Sequence, residues 1–176
     1  MKSDHVIPAA HFDAQRFADA EALYEALTQL IHVYQYRDRD RICCHDVSVT
    51  QCHAMEILAK QGVMRLQSLA EQLRLDKSTS SRVVESLVKK AYVTRIENPE
   101  DRRAVLLSLT DEGAAIYQRI RAELIEEEYK LLADLPPEVR HGAPELLRRL
   151  AGAAARRTGL LCETSPAEQV VEKGCC

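Results

Sequence analysis

The chain has 176 residues, 46% of them hydrophobic and 29% charged, with a formal net charge of −3 and six cysteines. That length buries a real core without disulfides. No stretch approaches the ~18 apolar residues of a membrane span, and the N-terminus, MKSDHVIPAAHFDAQRF, lacks the apolar core of a secretory signal.

The overall acidity argues against a nucleic-acid binder, but the charge is unevenly placed. From Arg65 to Arg103 nine Lys or Arg stand against six Asp or Glu, a local net charge of +3 that points to a polyanion-facing surface. The expected compartment is the cytoplasm. In its reducing environment six cysteines read as free thiols, metal ligands or redox sensors rather than structural disulfides.

From Ala14 to about Tyr36 the residues Phe17, Leu23, Tyr24, Leu27, Leu30, Ile31 and Tyr34 recur at three- and four-residue spacing, predicting an amphipathic first helix. RDRDR, residues 37–41, reads as a solvated charge run that breaks the stripe. A second helix starts near Ser48 or Thr50 and stops at Gly62. RLQSLAEQLRL predicts a short third helix and DKSTSSRVVESLVKKA a fourth, capped by Asp76; their tight connection predicts a helix-turn-helix.

YVTRIE and AVLLSL are rich in β-branched and aliphatic residues and flank NPEDRR, which predicts a hairpin with an exposed loop. Thr110 caps a long fifth helix with Ile116, Ile120, Leu124, Ile125, Leu131 and Leu132 on one broad face. PPEVR opens a sixth, carrying Val139, Leu146, Leu147, Leu150 and Ala154. After AARRTG no period is sustained, and the remainder reads as a mobile tail bearing cysteines.

Helix, tight turn, helix and hairpin in that order make a winged helix-turn-helix, and the composition agrees. On the fourth helix Val83, Val84, Leu87 and Val88 form the inner stripe, opposite Lys77, Ser78, Ser81, Arg82, Glu85 and Lys89. Short hydroxyls with Lys and Arg in the N-terminal half of a helix suit a major groove, and Arg82 is long enough for a guanine edge. The candidate DNA-contacting residues of this helix are Lys77, Ser78, Thr79, Ser81 and Arg82. Arg102 and Arg103, at the hairpin tip, suit phosphates or a minor groove.

The segment SLAEQLRLDKSTSSRVVESLVKKAYVTRIENPEDRRAVLLSLTDEG, with Asp101-Arg102-Arg103 before LSLTDEG, resembles the DNA-binding core of the MarR family of bacterial transcriptional regulators. With its flanking helices the resemblance covers roughly residues 12–157. It implies a mainly α fold with a small β-hairpin, a winged helix-turn-helix with N- and C-terminal dimerisation helices. The implied organisation is an N-terminal dimerisation helix and arm over 1–40, a DNA-binding domain over 41–110, C-terminal dimerisation helices over 111–157 and a cysteine-bearing tail over 158–176.

It also implies an obligate homodimer on double-stranded DNA, one recognition helix per half of a pseudo-palindromic operator. In that likeness Arg103 corresponds to the wing arginine and Asp101 to its positioning partner. Three positions depart from the family pattern: Ala91 stands where glycine is usual, Ser80 where an apolar residue is frequent, and Cys52 where a bulky, often aromatic residue is common. The tail cysteines are not a family feature.

Five of the six cysteines lie in two short stretches, RICCHDVSVTQCH from Arg41 to His53 and GCC at the end. Cys52 reads first as a small core hydrophobe. Cys43 and Cys44 cannot easily bridge each other, because adjacent Cα atoms lie ~3.8 Å apart, below the usual ~4.4 Å minimum. Adjacent thiols suit one soft ion, such as trivalent arsenic or antimony, mercury, cadmium or copper(I).

The tail from Arg157 to Cys175 spans roughly 24 Å as a flexible chain and reaches ~60 Å at most, enough to bring Cys175 and Cys176 to Cys43 and Cys44. The expectation is therefore a repressor with no obligatory cofactor, released by a thiophilic metal or metalloid at Cys43, Cys44, Cys52, Cys175 and Cys176. An oxidation or electrophile sensor and an organic, phenolic effector are the alternatives within the class. An enzyme or metal buffer, such as a thiol oxidoreductase, is the rival class. It calls for a Cys-x-x-Cys or a nucleophile with a positioned base, and neither spacing is present.

Overall fold

Nine elements form where the residues are described, 13–97 and 105–158, in a computed structural model of the chain. The chain divides into two units after Glu126. The division falls inside a helix that begins at Asp111. Tyr117 and Ile120, from that helix, are buried in the first unit's core.

Helix α1, Ala14–Cys43, starts at Asp13, whose side chain accepts from Arg16 N–H. It does not end at RDRDR. Neither Arg nor Asp breaks a helix as Gly or Pro does, and the run is braced along its own surface. Arg37 pairs with Asp38 at 2.7 Å and lies 4.1 Å above the Tyr34 ring, and Arg39 lies 5.2 Å from that of Tyr36. The helix stops only after Ile42 enters the core, where Asp46 turns the chain at φ +56°.

Helix α2, Val49–Gln61, carries a reciprocal capping box between Ser48 and Gln51 and ends at Gly62, φ +75°. A two-residue strand β1, Met64–Arg65, follows, too short for any sequence period. Helices α3, Leu66–Leu73, and α4, Lys77–Lys89, form the helix-turn-helix, with Asp76 capping α4. Strands β2, Val93–Glu97, and β3, Val105–Leu109, make the hairpin, and β1 adds to its outer edge in the antiparallel order β1-β3-β2.

One core holds this unit together: Ile42, Val47, Met55, Leu58, Leu69, Val84, Leu87, Val93, Leu107, Tyr117 and Ile120 among others, with Val83 and Val88 partly buried against it. Ser80 shares that interior, and its hydroxyl has no hydrogen-bond partner. Such an orphaned polar group costs about 1–3 kcal/mol, which explains why an apolar residue suits the position.

The end of α4 is a Schellman closure: Tyr92 N–H donates to Leu87 C=O at 2.9 Å and Ala91 N–H to Val88 C=O at 3.0 Å. The closure requires a left-handed residue at Ala91, found at φ +59°. Here the departure from glycine has a physical cost. Replacing Ala91 with Gly is expected to raise stability by about 1 kcal/mol, seen as a higher urea midpoint with an unchanged slope.

Helix α5, Asp111–Ala133, is pinned to that closure. Thr110 Oγ1 accepts from Gly113 N–H at 2.9 Å and donates to Ala91 C=O at 2.7 Å, while Thr110 N–H donates to Tyr92 C=O at 3.1 Å. Within the second unit α5 continues into a turn and helix α6, Pro137–Arg157, none of whose residues is buried. Phe17, Tyr24, Ile31 and Val33 of α1, Ile125 and Tyr129 of α5, and Val139, Leu146 and Leu147 of α6 are exposed. Among the described residues no helix is long and apolar enough to cross a membrane.

Candidate nucleic-acid interface

The apolar residues of α4 turn inward, so Lys77, Ser78 and Arg82 are exposed and Thr79 and Ser81 half-exposed. Their chemical states differ. Asp76 takes the backbone N–H groups of Ser78 and Thr79, each at 2.9 Å, and also their hydroxyls at 2.5 and 2.6 Å. These hydrogen bonds, the Ser78 hydroxyl foremost, hold the Asp76 carboxyl well below the usual carboxylate range. Its capping contribution is complete above the unfolded value of about 4 and is lost as pH falls through the lower folded value.

Ser81 donates to Glu85 at 3.2 Å. Three hydroxyl protons of the recognition face are thus engaged by carboxylates within the chain. A phosphate approaching Ser78 or Thr79 must compete with Asp76. Lys77 and Arg82 have no hydrogen bond or ion pair among the described residues, so their donors point outward unspent. Asp101, Arg102 and Arg103, at the hairpin tip, lie outside the described residues.

The thiols separate in the same way. Cys43, the last residue of α1, and Cys44, its C-cap, are exposed and unbridged, and Cys44 donates to Asp40 C=O at 3.0 Å. Cys52 is only 5% exposed and sits in the core. Its thiol is pushed up to about 11, mainly by burial and then by Glu56 and Asp38. A thiol so placed stays protonated at neutral pH and makes a poor soft-metal ligand.

Among the described residues no three His, Cys, Asp or Glu side chains gather as a metal site. Cys175 and Cys176, expected to complete one, lie outside the described residues. Maleimide at pH 7.5 should therefore label Cys43 and Cys44 rapidly and Cys52 only after denaturation, as read by peptide mass spectrometry.

Sequence reasoning missed what the residues after the thiols do. His45 Nε2 and Glu123 Oε2 of α5 are 2.9 Å apart, and Lys90, the C-cap of α4, is 3.1 Å from Asp46 Oδ2 and donates to the Asp46 carbonyl. Gln51 Nε2 donates to Ser86 Oγ of α4 at 2.8 Å. No periodicity relates residues so far apart in the chain, and only the capping role of Gln51 was open to a local reading.

A helix-turn-helix with an outward basic face, flanked by a three-stranded wing, defines a winged helix-turn-helix transcriptional regulator. Comparison with known proteins makes the class particular. The MarR family profile matches residues 47–105. The transcriptional repressor MdtR of Bacillus subtilis is 26% identical over 140 residues, covering 80% of this chain and 88% of that protein.

An HTH-type regulator of Mycobacterium bovis is 31% identical over 107 residues, 59% of this chain and 75% of its own. The crystal structure of YusO from Bacillus subtilis superposes with a TM-score of 0.65 at 25% identity, over 81% of this chain and 99% of that one. The chain belongs to the MarR family of transcriptional regulators. Such regulators are not enzymes, in agreement with the absence of catalytic spacings from the sequence.

Proposed function

We propose that the chain is a cytoplasmic, homodimeric repressor that binds a pseudo-palindromic operator in double-stranded DNA and is released by a thiophilic metal or metalloid. The observation that carries DNA binding is the outward, uncompensated pair Lys77 and Arg82 on a helix whose other face is core. Arg82 reads a base edge and Lys77 meets phosphate. Ser78, Thr79 and Ser81 contribute once their carboxylate partners yield. Asp101, Arg102 and Arg103 serve the wing. Exposed apolar side chains on α1, α5 and α6 are surfaces that a second copy would bury.

The effector reading rests on two adjacent exposed thiols, Cys43 and Cys44, on the segment joining α1 to the DNA-reading module. Cys175 and Cys176 are proposed as further ligands. Cys52 is left out, because a buried, protonated thiol offers no thiolate. An ion that prefers the conformation unable to span both half-sites releases DNA in proportion to that preference.

The test is fluorescence anisotropy of the reduced protein on labelled DNA from upstream of its gene, titrated with arsenite, cadmium, zinc and peroxide. Arsenite or cadmium is expected to weaken binding by about tenfold or more, and Cys43→Ser with Cys44→Ser to abolish the response. A response only to peroxide would make the chain an oxidation sensor. An undiminished response in the double variant would remove these thiols from the switch.

A further inference from the structure

The stretch Cys43–Asp46, four residues from the end of α1 into the α1–α2 turn, is held from both sides. Ile42 and Val47, each 2% exposed, bury its ends in the core. Between them lie Cys43, Cys44, His45 and Asp46, with His45 N–H donating to Ile42 C=O and Asp46 N–H to Cys43 C=O, both at 3.1 Å. The left-handed conformation of Asp46 accompanies the approach of its carbonyl and its carboxylate to one side chain, Lys90.

Lys90 belongs to the C-terminal end of the recognition helix, and its side chain is 25% exposed, against 90% for Asp46. The exposed carboxylate contributes little through its ion pair. The charge-assisted bond from the half-buried ammonium to a backbone carbonyl is the stronger link. One residue earlier, His45 meets Glu123 of α5. Two consecutive residues, immediately after two exposed thiols, thus hold the recognition helix and α5.

We infer that Lys90 is a positioning residue for DNA recognition, fixing the C-terminal end of α4 to the α1–α2 turn, and that this turn transmits changes at Cys43 and Cys44 to the DNA-reading face. The inference rests on the DNA-binding reading above but not on the identity of the effector. A group attached at Cys43 or Cys44 must be accommodated between two buried anchors. Asp46, left-handed and exposed, is the point of the turn that Lys90 holds.

The test uses the full chain with Cys162, Cys175 and Cys176 replaced by serine, so that Cys43 and Cys44 are the thiols offered to N-ethylmaleimide. Each sulfur adds across the maleimide double bond, and the thiol proton ends on the neighbouring carbon. Operator affinity is measured across a salt series for this background, Lys90→Met and Lys90→Arg, before and after alkylation. Lys90→Met is expected to weaken binding by about tenfold without changing the slope of log affinity against log salt, and Lys90→Arg to restore it. Alkylation is expected to weaken the background protein and to add nothing in Lys90→Met.

A slope reduced by about 0.9 in Lys90→Met would make Lys90 a phosphate contact and overturn the inference, as would equal losses on alkylation with and without Lys90. Lys90→Gln, run in parallel with circular dichroism, provides the same comparison should Lys90→Met not fold. If the unsubstituted protein forms no salt-sensitive complex, the DNA-binding reading fails. If it does and Lys90→Met binds equally well, only the inference fails.

Discussion

Arg82→Ala is expected to reduce operator affinity by about 1–3 kcal/mol, roughly five- to 150-fold, with the loss concentrated at one base pair. The side chain is exposed on the recognition helix, and no group in the described chain consumes its five donors. A guanidinium in that state gives both N–H groups of a bidentate contact without first breaking an internal bond. Competition binding against operators randomised one position at a time measures the effect, as a preference lost at a single position.

Lys77→Ala provides the contrast. An ammonium has no planar fork, so its removal should weaken all sequences alike and lower the salt slope by about 0.9. If Arg82→Ala behaved like Lys77→Ala, with uniform loss and a shallower slope, Arg82 would be a backbone contact and base reading would lie elsewhere on α4 or on the wing.

Gly113→Ala is expected to cause a large loss of stability. A Cβ there would lie 2.0 Å from the Tyr92 carbonyl oxygen and 2.8 Å from its carbon. The obstacle is backbone, which cannot swing aside as a side-chain tip does, and Tyr92 is itself locked by the closure of α4 and by the N–H of Thr110. Overpacking of this kind costs about 3 kcal/mol, a fall of roughly 6–12 °C in melting temperature for a chain of this size. Differential scanning calorimetry decides it. A variant melting within a degree of wild type would show that α5 moves away from Tyr92 freely, contrary to the threonine-glycine lock.

The lock gives a physical reason for the segment LSLTDEG. Thr110 must accept from Gly113 and donate to Ala91, and Gly113 must bring α5 against the last turn of the recognition helix. The orientation of α5 is thereby tied to the end of α4. Together with the Lys90 link to the α1–α2 turn, the C-terminal end of the recognition helix is held on two sides, while its N-terminal half carries the outward donors. Strain at Ala91 lies within this junction, so relieving it in Ala91→Gly tests the same closure from the stabilising side.

Much of this architecture was legible in the chain. Caps at Ser48, Asp76 and Thr110 and the stop at Gly62 are local, each a side chain or a glycine acting within three or four residues, so sequence spacing reports them directly. The inner face of α4 was equally legible, because a 3.6-residue period places Val84 and Leu87 together whatever packs against them. The continuation of α1 through RDRDR was not. A charge run looks like solvent to a periodicity argument, and only the Arg37 and Arg39 guanidinium groups over the Tyr34 and Tyr36 rings and the burial of Ile42 show that the helix persists.

Local chemistry along the chain was therefore sufficient for the order of the six helices and the hairpin, for naming Lys77 and Arg82 as candidate contacts, and for the oddity of the paired thiols. Tertiary packing decided which of those groups are available. It sent Cys52 inward, where desolvation keeps its thiol protonated, and left Cys43 and Cys44 outside. It brought Lys90 to Asp46 and His45 to Glu123. Availability depends on burial and on partners distant in sequence, and neither is written in the spacing of residues.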